Sequence, residues 1–199
     1  MKKECQRPFY RKLADGLTTT RLYGSYALAG YIVKKGPEFR SWTTAAIGFG
    51  LVATDKLDGW AAKKSNIKSV EGARRDEETD KVLYRNLMAA MTIATGDERY
   101  LAYGAINQIR DGRVKTARDE LRARELPAGA RPLGRYKTLV QSAGLVADLS
   151  PLGEALSGVV HSIHAGSVAM AAISGIDIVR NADAQIQEFD QAAELYQYQ

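Results

Sequence analysis

Four aspartates, Asp55, Asp58, Asp76 and Asp80, stand within 26 positions at spacings of three and four, and this restricts the chain more than any other feature. Residues three and four apart are neighbours on a helix. Asp55, Asp58, Gly59 and Ala62 therefore form one stripe, and Gly72, Asp76 and Asp80 form a second. A connection over 64–71 lets the two helices pack side by side and gathers four carboxylates. At about 4 Å and an effective dielectric near 20, each close pair costs roughly 4 kcal/mol, so a bare cluster takes up protons or splays apart. One or two divalent cations reverse the sign, and an all-oxygen donor set suits Mg2+ or Mn2+ rather than zinc. Small residues at 59, 62 and 72 leave room for a ligand against the metal face. Spacing alone leaves a second reading open, a solvated acidic face paired with neighbours such as Lys56, Lys63, Arg74 and Lys81.

The rest of the chain reads as all-α. Uncharged runs fall at 22–33, 41–54, 86–96, 100–109, 138–147 and 155–176, and alternating β-branched segments are scarce. Breaks at 34–40, 64–72, 95–99, 125–134 and 148–153 separate about six helices, preceded by a short basic amphipathic segment at 3–14. Residues 1–199 read as one domain. Only 155–176 reaches the roughly 20 residues needed to cross a bilayer, and the mean hydropathy is −0.28. Hydropathy by itself therefore favours a soluble helical bundle. The cations argue the other way. With six spans and the N-terminus inside, the inner segments carry most of the Lys and Arg, as membrane orientation requires. "KKGPEFR" (34–40) is the exception, placing three cations outside.

Smaller signals are few. Gly158, Ser162 and Gly166, four apart, predict close approach of another helix. Trp42, Trp60, Tyr23 and Tyr26 are candidates for residues at interface depth. His161 and His164 lack the further ligands a metal site needs, so packing or cavity lining is the expectation. The single cysteine, Cys5, excludes an intramolecular disulfide and is read as a bystander. A net charge of +5 suits anionic partners, but no nucleic-acid module is present and the cations are spread through loops. The basic start lacks a signal peptide's apolar core, so the N-terminus is expected in the cytoplasm.

The aspartate segment reads Asp55-x2-Asp58-Gly59-x2-Ala62-Lys63-x8-Gly72-x3-Asp76-x3-Asp80. It resembles, at every spacing, the D-x2-D-G-x2-A-R-x8-G-x3-D-x3-D signature of the CDP-alcohol phosphatidyltransferase family, with Lys63 where the pattern has arginine. The similarity is greatest to the branch that makes phosphatidylglycerophosphate. "GLTTTRL" (16–22) resembles that branch's L-T-x-x-R on Leu17, Thr18 and Arg21, and "DEETDKV" its D-P-V-A-D-K-V. "GRYKT" resembles its G-K-V-K-T on Gly134, Arg135, Lys137 and Thr138, while Arg110 and Arg118 keep the eight-residue separation of two arginines. The resemblance spans about 15–145.

It implies a polytopic membrane bundle of about six transmembrane helices, a homodimer in the cytoplasmic membrane with its site facing the cytoplasm. Asp55, Asp58, Asp76 and Asp80 would hold two Mg2+ or Mn2+ ions, and Asp80 would be the catalytic base. Gly59, Ala62, Lys63 and Gly72 would receive the nucleotide and diphosphate of CDP-diacylglycerol. Lys63 meets a phosphate as a point charge, without arginine's fork, which bears on nucleotide affinity and not on the chemistry. Arg110, Arg118, Arg135 and Lys137, in an acceptor-phosphate region at 110–138, would hold a phosphorylated polyol, foremost sn-glycerol 3-phosphate. An inositol-phosphate acceptor and a non-catalytic, metal-binding relative are the alternatives.

Overall fold

The computed structural model describes residues 7–65, 70–127 and 132–197. Within them it describes every side chain but those of 7–8, 10–11, 55–56, 58–65, 70–78, 80, 132–135, 193 and 195–197. The described chain is helical throughout: α1 (Arg7–Lys35), a 3-10 turn (Gly36–Phe39), α2 (Trp42–Ser65), α3 (Val70–Thr95), α4 (Glu98–Ala123), α5 (Pro132–Leu149), the single turn α6 (Leu152–Ala155) and α7 (Ser157–Gln197). The six uncharged runs each lie in one long helix. The separate amphipathic segment does not appear: residues 7–14 continue without a break into α1, and 1–6 lie outside the described residues. Pro8 falls in the first turn, where it is tolerated, and the helix runs on through Asp15-Gly16.

Local chemistry sets the ends. Gly36 (φ +57°) and Gly96 (φ +71°) take the left-handed conformation that terminates α1 and α3. The Ser41 hydroxyl accepts from Thr44 N–H at 3.1 Å and caps α2. Asp97 caps α4, its Oδ1 accepting from Arg99 N–H at 3.0 Å.

The helices form a closed ring in the order α1, α2, α5, α7, α4, α3 and back to α1. Packing is closest where glycines remove a side chain. At Gly24 an added methyl would meet Leu51, at Gly48 Leu149, and at Gly144 Ile163 and His164. The row at Gly158, Ser162 and Gly166 is instead exposed, with open space beside both glycines, so within the chain it serves no close approach. The main apolar core, with Ile32, Phe39, Leu87, Met91 and Leu149 fully buried, gathers at the end where α1, α3 and α5 finish.

Beside the apolar core, the bundle buries polar side chains and turns large apolar ones outward. Every long helix turns large apolar side chains outward, among them Tyr26, Phe49, Ile93, Ile109, Leu139 and Ile173. The interior holds Arg21, Ser25, Asn107, Gln141, Asp148 and His164. Among the described residues, one helix, over Ser157–Ala192, is long and apolar enough by hydropathy to cross a membrane; Trp42–Thr54 is a shorter apolar stretch.

Candidate active site

The signature occupies the C-terminal half of α2 and the N-terminal half of α3. Both halves lie at the end of the ring opposite the apolar core. Both segments are helical, as the spacing requires, with Asp55, Asp58, Gly59 and Ala62 on α2 and Gly72, Asp76 and Asp80 on α3. The side chains of the four aspartates and of Lys63 lie outside those described.

α1 packs along both signature helices and supplies what holds them in register. Arg21 is completely buried, and its Nε donates to Thr54 Oγ1 at 3.1 Å, one residue before Asp55. Thr54 in turn donates to the Leu51 carbonyl at 2.6 Å. One turn along α1, Ser25 Oγ accepts from Asn86 Nδ2 of α3 at 3.2 Å. Arg21 is thereby fixed to the α2 residue that immediately precedes Asp55 in the chain. Sequence reading matched Arg21 to a motif without giving it a task; its place at the head of the uncharged run 22–33, four residues before Ser25, was the available signal.

The basic residues are dispersed differently. Arg110 on α4 is engaged by α7 and its own neighbour: Nε donates to the Ala171 carbonyl at 3.1 Å, Nη2 to Ser174 Oγ at 3.3 Å, and Nη1 pairs with Asp111 Oδ1 at 2.7 Å. Gly175 makes room for it, since a methyl there would lie 2.7 Å from Arg110 Cγ. Arg118 is half-buried two turns further along α4, and Lys137 is buried on α5. The Arg135 side chain lies outside those described.

At the opposite end is a polar cluster that sequence reading missed. Asp148 is fully buried, with Oδ1 accepting from Arg40 Nη2 at 3.0 Å and from the Tyr100 hydroxyl at 2.9 Å. Its Oδ2 lies 3.2 Å from His164 Nε2, and His164 Nδ1 lies 3.4 Å from the Tyr84 hydroxyl. Tyr103 stacks on His164. His161 Nε2 faces Asp97 Oδ2 at 3.2 Å. The two histidines are therefore packed with carboxylate partners, in keeping with a packing role. Arg40 belongs to the "KKGPEFR" exception, and it is turned inward onto Asp148. Among the described residues no three His, Cys, Asp or Glu side chains converge as metal ligands.

Asp97 carries a measurable consequence. Its carboxyl is held below the usual range, chiefly by the hydrogen bonds from the Arg99 side chain. A depressed carboxyl stabilises the fold above its unfolded pKa, and that contribution fades as pH falls through the lower folded value. Asp97→Ala should therefore cost about 1 kcal/mol, mostly as a lost cap. It should also flatten the acid end of the melting-temperature profile, which melts in detergent between pH 3 and 7 would record.

No curated protein and no solved structure matches the chain. A family model, CDP-alcohol phosphatidyltransferase, matches residues 11–174, a span that takes in α1 to α6, both signature stripes and most of the apolar part of α7. With that much of the ring matched and the aspartates at the family's spacing, the chain belongs to the CDP-alcohol phosphatidyltransferase family, membrane-integral and generally divalent-metal-dependent phosphotransferases that move a phosphatidyl group from a CDP-alcohol to an alcohol acceptor.

Proposed function

We propose that the protein transfers the phosphatidyl group of CDP-diacylglycerol to sn-glycerol 3-phosphate, giving phosphatidylglycerophosphate and CMP. The observation that carries this reading is the full-length signature on α2 and α3, joined to the 134–138 and 110/118 matches on α5 and α4. Four carboxylates with no sulfur or nitrogen among them suit Mg2+ or Mn2+. Asp55, Asp58, Asp76 and Asp80 would hold two such ions, which when bound offset negative charge on the diphosphate. Gly59, Ala62 and Gly72 leave space for the nucleotide, and Lys63 meets a phosphate. Asp80 takes the proton from the acceptor hydroxyl as that oxygen bonds to the β-phosphorus. The bond from this phosphorus to the bridging oxygen breaks, and its electron pair leaves with CMP. Arg118, Arg135 and Lys137, with Arg110 behind them, supply positive charge for the acceptor's phosphate.

The outward apolar side chains support a reading with six membrane spans. Outward Tyr, Phe, Ile and Leu on all six long helices suit hydrocarbon, and the buried polar residues explain why mean hydropathy understates it. Exposed Trp42, Tyr23 and Tyr26 suit interface depth. The cationic segments favour the aspartates on the cytoplasmic side of the cytoplasmic membrane, and the exposed small-residue row on α7 suits a homodimer. Carbonate washing should leave the protein in the membrane; release would end the six-span reading. Membranes given CDP-diacylglycerol, Mn2+ and labelled sn-glycerol 3-phosphate should form lipid-soluble label with release of CMP. Faster turnover of inositol phosphate would keep the family and remove the acceptor assignment.

A further inference from the structure

The family match ends at residue 174, and α7 continues as helix to Gln197. This added stretch packs against the basic half of α4. The two helices run in the same direction: Arg110 meets Ala171 and Ser174, while Arg124 Nε reaches Asp190 Oδ1 at 3.4 Å. Between these points Ala117, Leu121 and Ala182 are buried together, with Val179 and Ile186 packed against them. Along the seam, buried positions of α4 include Val114, Ala117 and Leu121, and those of α7 include Ala171, Ser174, Ile178 and Ala182. Spacings of three and four are those of a coiled-coil seam.

Charge follows the same division. Residues 110–124 carry Arg110, Arg113, Lys115, Arg118, Arg122 and Arg124 against three acids. Residues 175–197 carry Asp177, Asp183, Glu188, Asp190 and Glu194 against the single cation Arg180. Left alone, a helix turn crowded with cations repels itself and frays. The seam opposes this from outside the span shared with the family.

We infer that the α7 extension beyond 174 is a positioning element for the acceptor: its seam with α4, centred on Ala182 and Leu121, fixes the helical stretch that presents Arg118 to the acceptor's phosphate. This rests on the proposed acceptor site. The extension touches no reacting atom, so it acts on acceptor binding and leaves the transfer step alone. Loss of a rigid frame for one phosphate contact raises KM for that substrate without lowering kcat.

The test uses the full-length protein in membranes. Ala182→Arg drives a long cation into the seam, against an already basic helix. It should raise KM for sn-glycerol 3-phosphate about tenfold, with kcat and the KM for CDP-diacylglycerol within twofold of the parent. The milder variants Arg124→Glu and Asp190→Arg should each raise the acceptor KM two- to threefold, and the double variant should return it to the parental value. A merely structural seam would lower the yield of active protein and leave that KM in place. Arg118→Ala separates the two levels. If it raises the acceptor KM while Ala182→Arg and the charge-reversal variants do not, this inference alone is overturned. If Arg118→Ala leaves the KM unchanged, the acceptor-site reading falls and the inference with it.

Discussion

Asp80→Asn should lower kcat at least about a thousandfold while the protein remains folded and membrane-bound. General-base catalysis contributes about 10²–10⁴ to rate, and this carboxylate is also read as one of four that hold the metals. The amide keeps the shape of the side chain and cannot take a proton. Turnover of labelled sn-glycerol 3-phosphate by purified protein, compared at equal amounts of folded enzyme, measures it. Further along α3, Asn86 ties the helix to Ser25 of α1. A variant within tenfold of the parent would take the base role away from Asp80 and pass it to solvent or to a group on the acceptor.

The second large effect is on stability, at the other end of the ring. Asp148→Ala strips Arg40, Tyr100 and His164 of a shared acceptor in a fully buried place. Removing one partner of a buried ion pair costs about 3–5 kcal/mol, because the remaining charge is left uncompensated. The melting temperature in detergent should drop sharply. Turnover per folded molecule should hold, since Arg40 precedes α2 and Asp148 lies in the last turn of α5, both away from the aspartate-bearing half of α2. The paired replacement Arg40→Leu with Asp148→Leu should recover much of the loss, as apolar substitutes for a buried pair often do. Equal losses in the single and paired variants would mean that shape, rather than charge, makes Asp148 necessary.

These two ends were unequally legible in the sequence. The helices were readable because each uncharged run is bounded by a turn signal, such as Gly36 with Pro37 or Gly96 before Asp97. The aspartate stripes were readable because their spacing is local and helical. The Asp148 cluster was not: Arg40 and Asp148 are 108 residues apart, and nothing nearby in the chain announces either partner. The α4–α7 seam was hidden for another reason. Several of its positions are polar or small, Asn107, Arg110, Ala117 and Ser174 among them, so a search for apolar periodicity passes over it. The row at Gly158, Ser162 and Gly166 misled in the opposite sense, because small residues at helical spacing look alike whether they face a neighbour or face outward.

The order of the ring also bears on how the molecule is made. α1, α2 and α3 are contiguous in it and leave the ribosome first, so the half that bears the aspartates can associate early. α4 then docks beside α3, and α5 crosses to the far flank beside α2. The gap between α4 and α5 waits for α7, the last of the six long helices to be synthesised. Until then Gln141, Asp148 and the polar edge of α4 have no lining on that side. A nascent chain stalled before Ser157 would be an open crescent with these polar groups uncovered, a natural substrate for quality control.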